Sequence, residues 1–270
     1  MITEAISIVK AIRIDLFVPW LEYHSKIFNR IHIWNNDSHF YITPYAMEIG
    51  NRNDCCIEVE DIYGTPRQYS IYDSWINHHS KADWVMPLDD DEYVIMDSRF
   101  KNIEDVINYY KNKFSDMEMF CLKWHHKFPN VFHAERNGES VLSYCQKENY
   151  TLASLFPCGD RGVKTIVHRA NASKIHYEET VENPNGGHLP KFFSLDNKLK
   201  YGRLCNGEVM TGNLVKTKGK IDEELAYLAH YRFTGYSEYF CKIKEREFSI
   251  SNSKPLKRNI RFNNILELLK

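Results

Sequence analysis

Four consecutive acids, Asp89-Asp90-Asp91-Glu92, follow the apolar run Trp84 to Leu88, and apolar residues resume at once with Tyr93-Val94-Ile95. Carboxylates this close repel one another, so a fold that holds them at a strand end needs a counter-charge. A hard divalent cation is sufficient. Asp and Glu oxygens suit Mg²⁺ or Mn²⁺, which keep water and share phosphate oxygens. Asp89 and Asp91 are two apart, and a sharp bend between them would offer both as ligands. The plain alternative is an acidic turn on a solvated surface, which the apolar flanks make uncomfortable. Zinc is a poorer fit elsewhere, because His125, His126 and His133 lack a carboxylate or Cys partner at helical or hairpin spacing.

The elements around the acids predict a layered α/β fold. Ala5–Ala11 reads as a buried strand. Leu16–Phe28 reads as a helix with Trp20, Leu21, His24 and Ile27 on one face and Pro19 in its first turn. Arg30–Trp34 and Asp54–Ile62 read as strands, Arg67–Lys81 as a helix, and Trp84–Leu88 as the strand leading to the acids. This order predicts a central, mostly parallel sheet flanked by helices, with ligands beyond the carboxyl ends of the strands. Asn36-Asp37 and Asp89–Asp91 both fall at such ends. Farther on, Ile103–Phe114 is an amphipathic helix, and Met117–Trp124 and Gly162–His168 are strands. Ile221–Tyr231 holds a short apolar element, and Tyr236–Phe248 is a helix. Trp124-His125-His126 could stack on a sugar or form an aromatic core edge.

The bulk properties bound the class. The 270 residues suffice for one α/β domain, and with no internal repeat or long linker the expectation is a single domain over 1–270, with 250–270 a basic tail and short helix. A formal net charge of −1 gives no field that would recruit nucleic acid. Seven Cys without a Cys-x-x-Cys argue against a disulfide framework and for a reducing, cytoplasmic setting. No apolar stretch approaches membrane-spanning length, which leaves peripheral membrane contact open.

Taken together, several of these residues give the chain a family likeness. It resembles small GT-A glycosyltransferases of the family 2 and family 92 kind, over roughly residues 5 to 248. The residues that carry the likeness are Trp20-Leu21-Glu22-Tyr23-His24, Asn35-Asn36-Asp37-Ser38, and Trp84 with Asp89-Asp90-Asp91-Glu92-Tyr93. Later come Lys164-Thr165-Ile166-Val167, His176, and His230-Tyr231-Arg232 with Ser237, Lys242 and Arg246. Lys10-Ala11-Ile12 stands where the family has Lys-Asn-Glu, His168-Arg169 where it has Arg-Pro, and Arg246-Glu247 where it has Arg-Gly.

The resemblance implies a GT-A (nucleotide-diphospho-sugar transferase) fold and a metal-dependent enzyme of polysaccharide biosynthesis. Such an enzyme moves a sugar from a nucleoside diphosphate sugar (a UDP- or GDP-sugar) to a glycan or glycoconjugate hydroxyl, with inversion favoured. Asn36, Asp37, Asp89, Lys164, His176, His230 and Arg232 are then expected at the nucleotide sugar. Asp89, Asp91 and His230 are expected at the Mn²⁺ or Mg²⁺. For the base of an inverting reaction the first candidate is Asp160, between Gly159 and Arg161-Gly162, with Glu178 as runner-up. Two rivals use the same residues differently. A metal-dependent phosphoryl or nucleotidyl transferase would want a further carboxylate and a basic groove. A non-catalytic glycan-binding module would have no need of the acids.

Overall fold

The computed structural model describes residues 1–11, 13–64, 67–128, 140–145, 147–148, 162–177, 189–211 and 225–231. In chain order the elements are β1 (Thr3–Val9), α1 (Ile14–His24), β2 (Arg30–Asn36), α2 (Thr43–Asn53), β3 (Cys56–Ile62), α3 (Gln68–Ser74) continued by a π turn (Trp75–His79), β4 (Trp84–Pro87), β5 (Glu92–Met96), α4 (Ile103–Lys113), β6 (Met119–Phe128), α5 (Val141–Tyr144), β7 (Lys147–Glu148), β8 (Val163–His168), β9 (Ala172–His176), β10 (Lys191–Ser194), β11 (Leu199–Lys200), β12 (Gly202–Arg203), β13 (Val209–Met210) and β14 (Ala226–His230). They fall into two compact units, residues 1–124 with 161–228, and residues 125–160 with 229–270.

The first unit carries the main sheet, in the order β13-β12-β6-β8-β4-β1-β2-β3. β1 pairs in parallel with β2 on one side and β4 on the other, and β2 pairs in parallel with β3. β8 is antiparallel to both β4 and β6, so β6 again runs with β1, and β12 is parallel to β6. The sheet is therefore mostly parallel, as expected. The first three strands progress to one side of β1 and the fourth returns to the other. In sheets of this kind the general place for a ligand is the crevice at the carboxyl ends of the strands where the order reverses, here β1 and β4.

On one face of the sheet, Ile6, Val85, Met119 and Val167 pack against Tyr72 and Ile76 from α3 and the π turn, and against Ile175 and Phe192. The last two belong to a small antiparallel sheet, β11-β10-β9. Each fully buried aliphatic or Phe side chain here contributes about 1.5–3 kcal/mol. α4 shows how local chemistry fixes an element. The Asn102 side chain accepts the Asp105 N–H, Glu104 and Asp105 lie in the first turn, Lys111 and Lys113 in the last, and Ile103, Val106, Ile107 and Tyr110 form the buried stripe.

Several expectations need correction. α1 begins at Ile14, so Pro19 lies inside the helix and not in its first turn. The helix between β2 and β3 is unanticipated. It opens on Thr43-Pro44 and closes at Asp54, whose φ of 52° is left-handed. Within it, a Cβ on Gly50 would lie 2.7 Å from the Cys55 carbonyl, so only glycine fits there. The predicted helix 67–81 is α3 plus a π turn, with the Ser80 N–H donating to the Trp75 carbonyl at 2.8 Å. Trp124 is a core residue, 5% exposed, and a Cβ on Gly162 would fall 2.2 Å from its ring.

In the second unit, the end of β6 pairs antiparallel with β7, Lys127 opposite Glu148 and Phe128 opposite Lys147. The Ser140 hydroxyl caps α5 by accepting the Leu142 N–H. His125, His126, His230 and Tyr231 are buried, and the His126 and His230 rings lie 4.9 Å apart. Among the described residues no helix is long and apolar enough to cross a membrane.

Candidate active site at the acidic turn

The acidic turn follows β4 at the crevice edge. The Leu88 N–H donates to the Ile6 carbonyl, which fixes the turn to β1. The turn closes on itself, because the Glu92 N–H donates to the Asp89 carbonyl at 3.1 Å and the Asp89 N–H donates to Glu92 Oε2 at 2.9 Å. From α1, the Trp20 indole donates to the Glu92 carbonyl at 2.9 Å. An apolar helix face, legible as such in the sequence, thus anchors the first residue of β5.

The counter-charge demanded by these acids is internal. Lys164, from the antiparallel strand β8, places Nζ 3.2 Å from Asp89 Oδ1 and 3.0 Å from Glu92 Oε2. Its side chain is 2% exposed and that of Glu92 is 0%, whereas Asp89 retains 35%. Burial opposes the charge on Lys164, but Asp89 and Glu92 outweigh it and hold the ammonium protonated. Burial pushes the Glu92 carboxyl up to about 8 against the pull of Lys164, with Asp89 and Asp91 adding to the rise. One ammonium therefore faces two carboxyls. Glu92 Oε1 is buried and has no hydrogen-bond partner. Gln68 of α3 completes the frame. Its amide donates to Asp89 Oδ1 at 3.2 Å and to the Tyr72 hydroxyl at 2.9 Å.

Asp90 and Asp91 form the tip of the turn and are half-buried. In kind, Asp89 and Asp91 suit a hard divalent ion, because Mg²⁺ and Mn²⁺ need only one or two protein carboxylates when water and phosphate oxygens complete the shell. Among the described residues no three His, Cys, Asp or Glu side chains converge as a ready-made ligand set.

β2 ends beside this crevice. Asn35 and Ser38 brace its loop. The Asn35 amide donates to Asp61 at 2.7 Å, Asn35 Oδ1 accepts the Ser38 N–H, and the Ser38 hydroxyl accepts the Ala11 N–H at 2.9 Å. Asn36 is half-exposed, and Asp37 is exposed with a φ of 58°. The loop thus presents Asn36 and Asp37 outward while their neighbours do the bracing.

The remaining predicted residues divide by location. His176 ends β9 in the first unit, half-exposed, with Nδ1 2.7 Å from Asp73 Oδ2. His230 is buried in the second unit against His126. Asp160, Glu178 and Arg232 lie outside the described residues. Sequence reasoning did not find Gln68, Tyr72, Asp73 or Tyr177. Gln68 and Tyr72 share a helix face at i and i+4, a signal that was available. Asp73 carries none, because its partners are more than a hundred residues away.

No protein-family model and no curated protein matches the chain. Among solved structures it is similar to the 1–349 fragment of TarS from S. aureus, at 11% identity and a TM-score of 0.35, covering 63% of this chain and 48% of that one. TarS is also known bound to UDP and to UDP-GlcNAc. The chain is similar to HddC from Yersinia pseudotuberculosis at 10% identity and a TM-score of 0.37, over 91% of this chain and 99% of that one. A further match is UDP-glucose pyrophosphorylase complexed with UDP-glucose, at 9% identity and a TM-score of 0.32, over 92% and 99%. Likeness at this level is weak, and the chemistry of this chain is read from the residues of its own site.

Proposed function

We propose that the protein is a glycosyltransferase that moves a sugar from a nucleoside diphosphate sugar to a hydroxyl of a glycan or glycoconjugate, with help from Mn²⁺ or Mg²⁺. The observation that carries this reading is the acidic turn at the sheet's point of reversal, with Asp89 fixed by a buried ammonium and Asp91 at the tip. A mere surface turn has no use for a lysine sealed beneath it at the cost of its hydration.

In this reading Asp89 and Asp91 hold the divalent ion together with the donor's diphosphate. When bound, the ion offsets the negative charge that builds on the departing diphosphate. Lys164 acts through Asp89, setting the direction of its second oxygen. Asn36 and Asp37 hydrogen-bond the nucleoside from the end of β2. The family resemblance assigns His230 and Arg232 to the diphosphate. An inverting transfer also needs a group that accepts the acceptor's proton, for which the sequence nominates Asp160 and Glu178.

The test is release of nucleoside diphosphate from a panel of UDP- and GDP-sugars, with water as the first acceptor, with and without Mn²⁺. The reading expects slow, Mn²⁺-dependent release from one donor class. Release of pyrophosphate from a nucleoside triphosphate and a sugar phosphate, with no donor hydrolysis, would make the protein a nucleotidyl transferase instead.

A further inference from the structure

The side chains of Asp73 and His176 form a pair that the acidic turn does not explain. Asp73 lies on α3, and Asn77 lies one turn later in the π turn. Together they clamp the end of β9. The Asn77 amide donates to the Ile175 carbonyl at 2.7 Å while its oxygen accepts the Ile175 N–H at 2.9 Å. One Asp73 oxygen accepts the Tyr177 N–H at 2.7 Å, and the other faces His176 Nδ1 at 2.7 Å. A carboxylate can only accept, so Nδ1 carries a proton, and in the neutral imidazole this leaves the lone pair on Nε2. The His176 side chain is 42% exposed, so that lone pair is not sealed in the core.

A second observation ties this pair to the acidic turn. Tyr177, the next residue, is 2% exposed, and its hydroxyl has no hydrogen-bond partner. A buried hydroxyl without a partner costs about 1–3 kcal/mol. The Tyr177 ring lies 6.4 Å from that of Tyr72, whose hydroxyl bonds Gln68, which in turn bonds Asp89. The pair and the acidic turn are therefore joined by a short chain of contacts through α3.

We infer that His176, oriented by Asp73, is the base of the transfer reaction, taking the proton of the acceptor hydroxyl at Nε2. The inference rests on the glycosyltransferase reading. In the step, the acceptor oxygen forms a bond to the anomeric carbon, and the bond from that carbon to the diphosphate oxygen breaks. The bonding pair leaves with the diphosphate, and the acceptor's proton passes to Nε2. The imidazolium so formed lies against the Asp73 carboxylate. Asp73 is a positioning residue: it fixes the tautomer and steadies the charged ring.

Two variants and two readouts test this. His176→Gln should lower kcat by about 100-fold or more, the usual scale for loss of a base, with UDP binding changed by no more than about twofold. Unchanged kcat with weakened UDP binding would place His176 on the donor instead. Full activity in His176→Gln, with loss in Asp160→Asn or Glu178→Gln, would also overturn the inference. Carbethoxylation of His176 by diethyl pyrocarbonate, followed by peptide mass spectrometry, needs no substrate. Asp73→Asn can donate to Nδ1 and so place the proton on Nε2, which should slow His176 modification several-fold. An unreactive His176 in the unsubstituted protein, or an unchanged rate in Asp73→Asn, would contradict the pairing even if the protein turned out to transfer no sugar.

Discussion

α3 contributes to two charged sites, Gln68 to the acidic turn and Asp73 to the pair with His176, and the fold treats them in opposite ways. At the acidic turn, Glu92 and Lys164 are sealed and Asp89 is held between Lys164 and Gln68. At the end of β9, Asp73 is held by a backbone N–H on one oxygen, while its partner His176 opens to solvent. The first arrangement uses charge for position. The second keeps a titratable ring available for chemistry. A buried pair that is broken strands an uncompensated charge, whereas a half-exposed pair that is broken finds water. The two clusters should accordingly differ most in what their removal does to stability.

The largest effect is expected at Lys164. Lys164→Met leaves the part-exposed Asp89 carboxylate without its ammonium beside a sealed Glu92 and should cost about 1.5–3 kcal/mol in denaturant unfolding. Adding Asp89→Asn should recover part of that loss, with a coupling of about 0.5–3 kcal/mol between the two sites. Simple additivity would show that the pair is not the stabilising unit.

A smaller effect comes from a third buried group, at the end of α1. His24 donates from Nδ1 to the Trp20 carbonyl and accepts the Val94 N–H at Nε2, so it is neutral in the fold. Burial pushes it down to about 3, despite the Trp20 carbonyl, from an ordinary 6.5. Between those values the unfolded chain binds one proton more than the folded chain. Stability should therefore fall as pH drops through this window, by at most about 1.4 kcal/mol per pH unit from this residue. Unfolding midpoints at pH 7, 6 and 5 check the sign, and His24→Gln should flatten the slope. An equal slope in that variant would assign the pH dependence to other groups.

The smallest stability change is expected at the open cluster. Asp73→Asn still presents an oxygen to the Tyr177 N–H and only reverses the bond to His176, giving up its charge, so thermal unfolding should report a cost of about 0.5–1.5 kcal/mol. A cost equal to that of Lys164→Met would erase the distinction between the clusters.

How much was legible in the sequence depends on the range of the forces involved. The strands β1, β2 and β4 were legible because each holds a short apolar run, β3 because its apolar residues alternate with acids, and Trp20, Leu21 and His24 because they share a helix face. Local signals also existed where they went unread. Thr43-Pro44 marks the start of α2, and the helix was passed over because its buried residues, Ala46, Ile49 and Gly50, are few and small. The antiparallel direction of β8 had no local signal at all. It arises from pairing with β4 and β6, and only that direction brings Lys164 beneath an acid 75 positions earlier. The acids themselves were evident from their run, but the counter-charge inferred from them was a metal, and the lysine that also answers it was visible only in three dimensions. Asp73 was invisible for the same reason: a single acid in a polar helix looks like any solvated side chain until β9 docks against it.

The central claim is that the tip of the acidic turn binds a nucleoside diphosphate through a divalent ion. Calorimetric titration of UDP and of GDP, with Mn²⁺ and with EDTA, into the unsubstituted protein and into Asp91→Asn tests it most directly. The account predicts binding of one nucleotide only when Mn²⁺ is present, and its loss in Asp91→Asn with the unfolding temperature preserved. Nucleotide binding that ignores Mn²⁺ and survives Asp91→Asn would contradict it.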